Sequence, residues 1–349
     1  MRLLRSHGRF EYAPIYARGA ANGKTWPNGA RLAVYIGLNL EHFDFGDGLG
    51  GQLVPGANTA RSADVLNYSW REYGNRVGAV RLLEALDRYS LPCSVLFNGA
   101  IVDHAPEIYE AHVARGDEIV GHGWTNSEKQ GDMDEATEKA MIADVTAKLE
   151  GRPTGWLGPW ISQSHVTPDL LEEAGYSYLL DWCHDDCPVA MTTRSGGSIL
   201  AVPYPQELND IPTIMVRRAS AADFAAMIVD NLREMLEEQC AKDGPPLVMG
   251  IALHPYIVGQ PFRLRHLRAA FAEIEKVAKE GGIWLTTAGA IADAWTDLAG
   301  DDATSAGAGR AKKVAYYGAR RAVPTALATT SSEAPSSGPP TDTPPPDAA

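Results

Sequence analysis

Short, continuous apolar runs alternate with longer amphipathic segments along most of the chain. The run 246–253 is apolar throughout and 32–40 is apolar except for Asn39, which is typical of strands buried on both faces. The segment 76–89, in contrast, repeats its apolar residues at helical spacing. The predicted strands are 32–40, 93–98, 118–121, 155–158, 177–181, 198–203, 246–253 and 282–286. The predicted helices are 76–89, 105–115, 134–149, 167–174, 219–241, 263–280 and 287–297.

This alternation of strand and helix predicts an α/β fold with a mostly parallel sheet of about seven to eight strands. The sheet could be closed as a (β/α) barrel or open and doubly wound. An open sheet concentrates its site near one switch point, whereas polar residues here follow strands spread over the whole chain. The barrel is therefore the favoured prediction.

Three segments differ in composition. We predict an irregular N-terminal arm at 1–30, a catalytic barrel domain at 31–298, and a disordered tail at 299–349, where Ala, Ser, Thr and Pro dominate. Residues 44–75 are rich in Gly, Asp and Asn, which predicts a long surface loop after the first strand. Such a loop is a common place for a lid over a site.

Charge and hydropathy exclude several classes of partner. The 349 residues carry a formal net charge of −13, so a nucleic-acid partner is not expected, because phosphate binding needs a basic surface. No apolar run approaches the length of a membrane span, and the N-terminus lacks the apolar core of a signal peptide. We therefore expect a cytoplasmic protein, with no membrane partner, that acts on a small molecule.

Ionisable side chains follow three of the apolar runs directly. Glu41 and His42 follow the first strand, His122 lies between two glycines after 118–121, and His254 ends the run 246–253. Glu41 could act as a general base, His254 as a general acid, and His42 or His122 as a metal ligand. The alternative for each is an ordinary structural residue at the end of a strand, but their shared position favours catalysis by Glu41, His122 and His254.

Aromatic and acidic residues near other strand ends are candidates for binding substrate. Indole rings stack on planar or sugar rings, but they are as often part of a core. Cys183 and Cys187 are a weak zinc signal because no second pair accompanies them. The predicted substrate-binding residues are Trp124, Trp160, Asp181, Trp182 and Asp185.

Taken in order, these segments resemble the polysaccharide deacetylase family, the hydrolases with a nodulation-protein-B homology domain. The resemblance spans roughly residues 30–297 and implies a distorted barrel that hydrolyses a non-peptide C–N bond. The segments that carry it are Leu40-Glu41-His42, His122-Gly-Trp-Thr-Asn126, Leu157-Gly-Pro159, Asp181-Trp182 with Asp185, and Ile251-Ala-Leu-His254-Pro255.

Two departures from the family pattern affect the predicted metal site. His42 replaces the metal-binding acid of the family, and Asn126, a poorer zinc ligand than imidazole, replaces its second histidine. The chain is more similar to the metal-independent, allantoinase-like branch, which it matches at Asn39 and Glu41. That branch implies hydrolysis of a non-peptide C–N bond without a metal cofactor and, often, a homo-oligomer.

Alternatives stay open at this point. The first is a metal-dependent deacetylase of N-acetylated sugars or chitooligosaccharides, in which zinc or another divalent ion is held by His42, His122 and a third group such as Glu128. The second is a catalytically inactive family member that binds a sugar or a partner protein. The favoured hypothesis is hydrolysis of a small amide, ureide or cyclic amide, in which Glu41 activates water, His254 protonates the leaving nitrogen and His122 stabilises the oxyanion.

Overall fold

The computed structural model describes Arg9 and residues 23–46, 64–241 and 244–299. All of these residues belong to one unit of the chain, Met1–Gly309. Within this part, nine strands form one sheet. The strands are β1 (Leu32–Leu40), β2 (Ser94–Phe97), β3 (Glu118–Gly121), β4 (Gly155–Trp156), β5 (Tyr178–Leu179), β6 (Val189–Thr192), β7 (Ser198–Ala201), β8 (Leu247–Leu253) and β9 (Trp284–Thr286).

Ten α-helices in the same part of the chain lie between or after these strands. Their bounds are α1 (Val65–Tyr73), α2 (Ala79–Arg88), α3 (Ile101–His104), α4 (Pro106–Arg115), α5 (Glu135–Lys148), α6 (Thr167–Glu173), α7 (Ala221–Ala241), α8 (Pro255–Val258), α9 (Pro261–Lys279) and α10 (Ala288–Ala299). None of these helices is both long and apolar enough to cross a membrane.

The sheet brings the ends of distant segments together. Its strands pair in the order β6-β7-β5-β4-β3-β2-β1-β8, and β9 pairs with the first half of β1. Every pair is parallel except β6–β7. Because the carboxyl ends of parallel strands lie at one edge of a sheet, the residues that follow β1, β3 and β8 come close to one another.

The predicted distorted (β/α) barrel is confirmed, with nine strands in place of seven or eight. The additional strand is β6, which forms an antiparallel hairpin with β7 at the end of the sheet. Of the four residues of β6, Met191 alone is fully buried.

The core is built on β1, all nine of whose residues are buried. Successive side chains of a strand point to opposite faces, so both faces of β1 are covered and an apolar run fits it better than an alternating pattern. The helices outside the sheet bury one stripe each. In α9, for example, Leu264, Leu267, Phe271 and Ile274 are buried at helical spacing.

The predicted loop at 44–75 is wrong in its last part. Residues 47–63, which include most of the predicted lid, lie outside the described residues. After them α1 begins at Val65, with Asp64 as its N-cap. The carboxylate of Asp64 accepts a hydrogen bond from Asn67 N at 3.1 Å. A π-helical turn, Gly74–Gly78, joins α1 to α2. A Cβ at Gly78 would lie 2.2 Å from Pro255 O, so glycine allows this turn to contact the segment after β8.

The predicted arm and tail lie mainly outside the described residues. From the arm, Trp26 is buried and its indole Nε1 donates to Leu247 O at 2.8 Å, which attaches residues 23–30 to β8. From the tail, only Ala299 is described, as the last residue of α10.

A partly buried carboxyl group, that of Glu118, links several elements at the amino end of β3. It accepts hydrogen bonds from Ser94 Oγ at 2.7 Å, Tyr178 OH at 2.7 Å and Gly289 N at 3.1 Å. Burial raises the pKa of Glu118 above its usual value, although these three donors oppose the shift. The group lies at the opposite end of β3 from His122.

We expect Glu118→Ala to destabilise the fold strongly and to leave the reaction intact. Three donors lose their acceptor in the interior, which costs at least about 3 kcal/mol of the free energy of unfolding. Denaturant unfolding measures this loss, and Glu110→Ala on the exposed face of α4 is the matched control. Equal unfolding midpoints for the two variants would contradict the structural role of Glu118.

Candidate active site

The three predicted catalytic side chains meet in one cavity. Glu41 follows β1, His122 follows β3 and His254 follows β8, and they are 7%, 2% and 3% exposed. All three line a cavity of about 220 Å³. The sequence interpretation of these strand ends as one site therefore agrees with their placement.

Glu41 lies between the two imidazole rings. Its Oε1 is 3.6 Å from His122 Nε2 and 3.5 Å from His254 Nε2. Asn75, in the π-helical turn, donates from Nδ2 to Glu41 O at 2.9 Å and fixes the backbone there. Burial alone would raise the pKa of Glu41, but the positive charge of His254 lowers it below the usual range. Glu41 is thus an ionised carboxylate.

His254 is held between two carboxylates. Asp210 Oδ1 lies 2.6 Å from His254 Nδ1, and its Oδ2 accepts from His254 N at 2.8 Å. Burial alone would lower the pKa of His254, but the charges of Asp210 and Glu41 raise it to about 9. At neutral pH the ring is therefore an imidazolium whose Nε2–H faces Glu41, which is the form that a general acid needs.

His122 differs from His254 in the partner of its Nδ1 atom. That atom lies 2.7 Å from Leu157 O, and because a carbonyl oxygen only accepts, Nδ1 carries a proton. In the neutral form of the ring, the Nε2 atom then carries a lone pair and no proton. This atom is buried and has no hydrogen-bond partner among the described residues.

The predicted role of His122, stabilisation of the oxyanion, stays a prediction, and the neutral form of the ring offers an alternative to it. A ring with a bare Nε2 accepts a hydrogen bond and cannot donate one to an oxyanion. The same atom faces Glu41, so it is placed to accept from a water molecule that Glu41 deprotonates. In this form His122 orients that water, whereas the predicted stabilisation of the oxyanion requires a proton on Nε2.

Trp160 is the predicted substrate-binding aromatic residue that lines the same cavity. Its indole Nε1 donates to Asn126 O at 2.9 Å, and its ring meets Phe43 edge-on at 6.2 Å between centroids. Trp160 has φ 64° and Ile161 has φ 52°, both in the left-handed region that side chains rarely adopt. Such backbone strain, held by the surrounding packing, is typical of functional sites.

The other four predicted substrate-binding residues lie elsewhere. Trp124 lines a separate cavity with Glu128 and Lys148, and Asp185 accepts from Cys187 N at 2.9 Å in a turn. Asp181 and Trp182 line a second cavity that shares Trp160 with the first. Strand-end position alone does not distinguish these side chains, because the direction of each depends on the loop that follows.

Asp181 is nevertheless an unusual carboxyl group. Its Oδ1 accepts from Gly158 N at 2.9 Å, and Oδ2 is buried without a hydrogen-bond partner. Burial raises the pKa of Asp181 to about 7, although the Gly158 hydrogen bond opposes the shift. This contact positions the Leu157-Gly158-Pro159 segment, and Leu157 O in turn orients His122.

Comparison with known proteins agrees with this geometry. No family model matches the chain. A polysaccharide deacetylase from Schizosaccharomyces pombe is 22% identical over 307 residues, which cover 78% of this chain and 92% of the relative. The peptidoglycan deacetylase of Helicobacter pylori is 24% identical over 255 residues, which cover 63% of this chain and 84% of the relative.

Two solved structures share both fold and sequence with the chain. A polysaccharide deacetylase from Pseudomonas aeruginosa PAO1 superposes with a TM-score of 0.67 at 26% identity, over 78% of this chain and 93% of that chain. Puue allantoinase superposes with a TM-score of 0.68 at 26% identity, over 78% and 92%. The predicted resemblance to the polysaccharide deacetylases is confirmed. The similarity to an allantoinase fits the predicted branch of that family.

The metal centre that the deacetylase resemblance implies does not fit the residues of the cavity. The sequence interpretation predicted that His42 and His122 bind the same metal ion. In the structure, His42 Nε2 is 3.5 Å from Asp44 Oδ1, and the ring of His42 lies beside that of His104. Asn126 Oδ1 accepts from Asn98 Nδ2 at 2.9 Å. His254 also lines the cavity, but its Nδ1 atom is held by Asp210 and its Nε2 atom carries a proton at neutral pH. The cavity thus offers Glu41 and His122, fewer than the three protein ligands of a catalytic zinc. We derive no step through a metal there.

Two buried charged residues at this site are missing from the sequence interpretation. Asp210 follows β7 in a segment without regular periodicity, and the polar pair Asn209-Asp210 is the sole local signal for it. Arg71 lies in α1 inside the stretch predicted as loop. It is 3% exposed, lines the cavity, and places its guanidinium 3.4 Å from the centroid of the Phe43 ring.

We expect Asp210→Asn to shift the pH dependence of turnover. Activity of the wild type should fall as the pH rises through about 9, where His254 loses its proton. Removing the charge of Asp210 lowers the pKa of His254, so this fall should move by about 1–3 units to lower pH. A pH–rate profile measures the shift, and Asp185→Asn should leave it unchanged. An unshifted profile for Asp210→Asn would exclude Asp210 as the group that raises the pKa of His254.

Proposed function

We propose that this protein hydrolyses a non-peptide C–N bond in a small cyclic amide or ureide. The observation that carries the proposal is the pair of Glu41 and His254, 3.5 Å apart in one cavity, with the carboxylate ionised and the imidazole protonated. Groups with such opposite protonation states suit a base and an acid that act on the same bond. The relatives named as deacetylases and allantoinase support this reaction class.

The proposed reaction begins with proton removal from water. Glu41 takes the proton while His122 Nε2 accepts a hydrogen bond from the same water and orients it. The resulting hydroxide attacks the carbonyl carbon and forms a tetrahedral intermediate. The two buried groups, 3.6 Å apart, leave room for a water that contacts both. Positioned proton transfer of this kind contributes about 10²–10⁴-fold to the rate.

His254 completes the reaction. Its Nε2–H gives a proton to the leaving nitrogen as the C–N bond breaks, which produces a carboxylic acid and an amine, or one ring-opened molecule from a cyclic substrate. The proton on Glu41 then returns to His254, 3.5 Å away, and restores the starting state. Asp210 keeps the ring oriented and charged through both of its carboxylate oxygens.

The size of the cavity favours a small substrate. Its volume of about 220 Å³ lies below the roughly 300–1,000 Å³ of pockets for drug-sized ligands. A chain of sugar rings would extend well beyond it. Small imides and ureides also have activated carbonyl groups, so they need less help from a metal than an N-acetyl group does.

Two rival functions remain testable. Deacetylation of N-acetylated sugars agrees with the names of several relatives but calls for a metal that the cavity residues do not fit. An inactive binding protein agrees with the altered family segments but has no need for a charged acid–base pair. The retained pair favours catalysis over binding alone.

A substrate panel tests the proposed function. The full chain would be incubated with allantoin, hydantoin, dihydrouracil, succinimide and N-acetylglucosamine oligomers, with ring opening or acetate release followed by chromatography. We expect turnover of at least one cyclic ureide or imide, absent in Glu41→Gln. Acetate release from the oligomers alone would overturn the assignment, and binding without turnover throughout would favour the inactive protein.

A further inference from the structure

A second group of metal-binding side chains lies close to the cavity but outside it. His42 follows β1, Glu72 lies near the end of α1, and His104 ends α3. One ligand atom from each of the three lies within 4.8 Å of the others. None of the three lines the cavity that holds Glu41 and His254.

The contacts within this group are close. Glu72 Oε2 is 2.7 Å from His104 Nε2, and the ring centroids of His42 and His104 are 4.3 Å apart. The Nδ1 atom of His42 is buried and has no hydrogen-bond partner. A buried polar atom without a partner is costly, so it calls for an explanation beyond a surface ion pair.

Two imidazoles and one carboxylate are ligands that suit a divalent transition ion. Zinc binds such atoms at about 2.0–2.2 Å, and three protein ligands with one open position are a common arrangement. Ligand atoms already within 4.8 Å of one another need only small side-chain movements to reach that geometry. Asp44 Oδ1, 3.5 Å from His42 Nε2, is placed as an outer partner that orients the ring.

We propose that His42, Glu72 and His104 bind one divalent transition ion of the zinc type, outside the catalytic cavity. This site does not depend on the reaction assigned to Glu41 and His254. The competing explanation is that Glu72 and His104 form an ordinary surface ion pair beside an unrelated His42. The two explanations differ in whether the free protein binds zinc through these residues.

Such an ion would join α3 to two segments that frame the cavity. His42 adjoins Glu41 in the sequence, and Glu72 adjoins Arg71, which lines the cavity from α1. An ion bound to the folded protein stabilises it, because folding brings the three ligands together. We therefore expect zinc to raise the melting temperature of the full chain.

Calorimetric titration with zinc tests the site. The full chain, free of a polyhistidine tag and treated with a chelator, would be titrated with ZnCl₂ alone. We expect the wild type to bind about one ion per chain, because the three ligands form a single site. His104→Ala should weaken binding by more than about 10-fold, since loss of even an outer-shell partner costs that much.

The controls separate this site from the catalytic cavity. His122→Ala removes an imidazole of the cavity and should bind zinc as the wild type does. Glu72→Gln keeps the size of the side chain but removes its charge, so it should weaken zinc binding as His104→Ala does. Its effect on folding should be small, and circular dichroism measures that effect. Both ligand variants should also lose the rise in melting temperature that zinc gives.

Three results would overturn the proposal. The first is a wild type that does not bind zinc. The second is unchanged affinity in both His104→Ala and Glu72→Gln. The third is weaker binding in His122→Ala, which would place the ion in the catalytic cavity.

Discussion

Glu41→Gln should lower kcat by about 10²–10⁴-fold and leave the fold intact. The amide has nearly the shape of the carboxylate but cannot take a proton from water. Because the carboxylate is ionised and faces both imidazoles, its replacement removes the base and also the negative partner of His254. Steady-state kinetics on the substrate identified by the panel would measure the loss.

Glu128→Gln is the matched control for this change. Glu128 is also a partly buried carboxyl group, but it lines the separate cavity with Trp124. Its replacement should leave kcat and KM near the wild-type values. If Glu41→Gln retained wild-type turnover, or lost no more than Glu128→Gln, another group would have to be the base.

His254→Gln should also lower kcat by about 10²–10⁴-fold, because the leaving nitrogen no longer receives a proton. Glutamine is preferred to alanine here since its amide can still donate to Asp210, whereas alanine leaves that buried carboxylate without its main partner. The loss should depend on the leaving group. A cyclic imide, whose nitrogen is stabilised as an anion, should be affected less than a simple cyclic amide.

This dependence on the leaving group distinguishes an acid from a merely structural histidine. Kinetics on a cyclic imide and a cyclic amide of the same ring size would compare the two losses. His165→Ala, at an exposed position, is the control and should alter neither rate. Equal losses on both substrates would indicate that His254 positions the substrate and does not protonate the leaving nitrogen.

Much of the barrel can be predicted from the sequence because long apolar runs are strong local signals. The run that forms β1 is buried along its whole length, and the predicted bounds of β3 agree with those of the structure. A polar residue directly after such a run must emerge at the edge of the sheet. For this reason the sequence pattern alone places Glu41, His122 and His254 in one site.

Contacts between distant segments could not be predicted in the same way. Asp210 reaches His254 across 44 positions of sequence, from a stretch without regular periodicity. The proximity of His42 to Glu72 and His104 could not be predicted either. Glu72 and His104 belong to two different helices, and the helix of Glu72 lies inside a stretch whose composition predicts a loop. The composition of that stretch does not predict α1, because this helix depends on its Asp64 cap and on packing against the segment after β8.

The direction of a side chain after its strand was a further source of error. Trp124 and Asp185 follow strand ends as the candidate catalytic residues do, but their loops direct them to another cavity and to a turn. Trp160, in contrast, reaches the catalytic cavity through two successive left-handed residues. Sequence patterns do not predict such backbone conformations at a tryptophan and an isoleucine.

The central claim is that Glu41 and His254 hydrolyse a small cyclic C–N substrate without a metal in the cavity. The most direct test is turnover of that substrate by wild-type protein and by His104→Ala, each measured after chelation with the metal content verified and again after zinc is restored. We predict that both proteins turn over the substrate in the metal-free state and that zinc does not increase the rate of His104→Ala. Turnover that disappears on chelation and returns with zinc in both proteins would contradict the account.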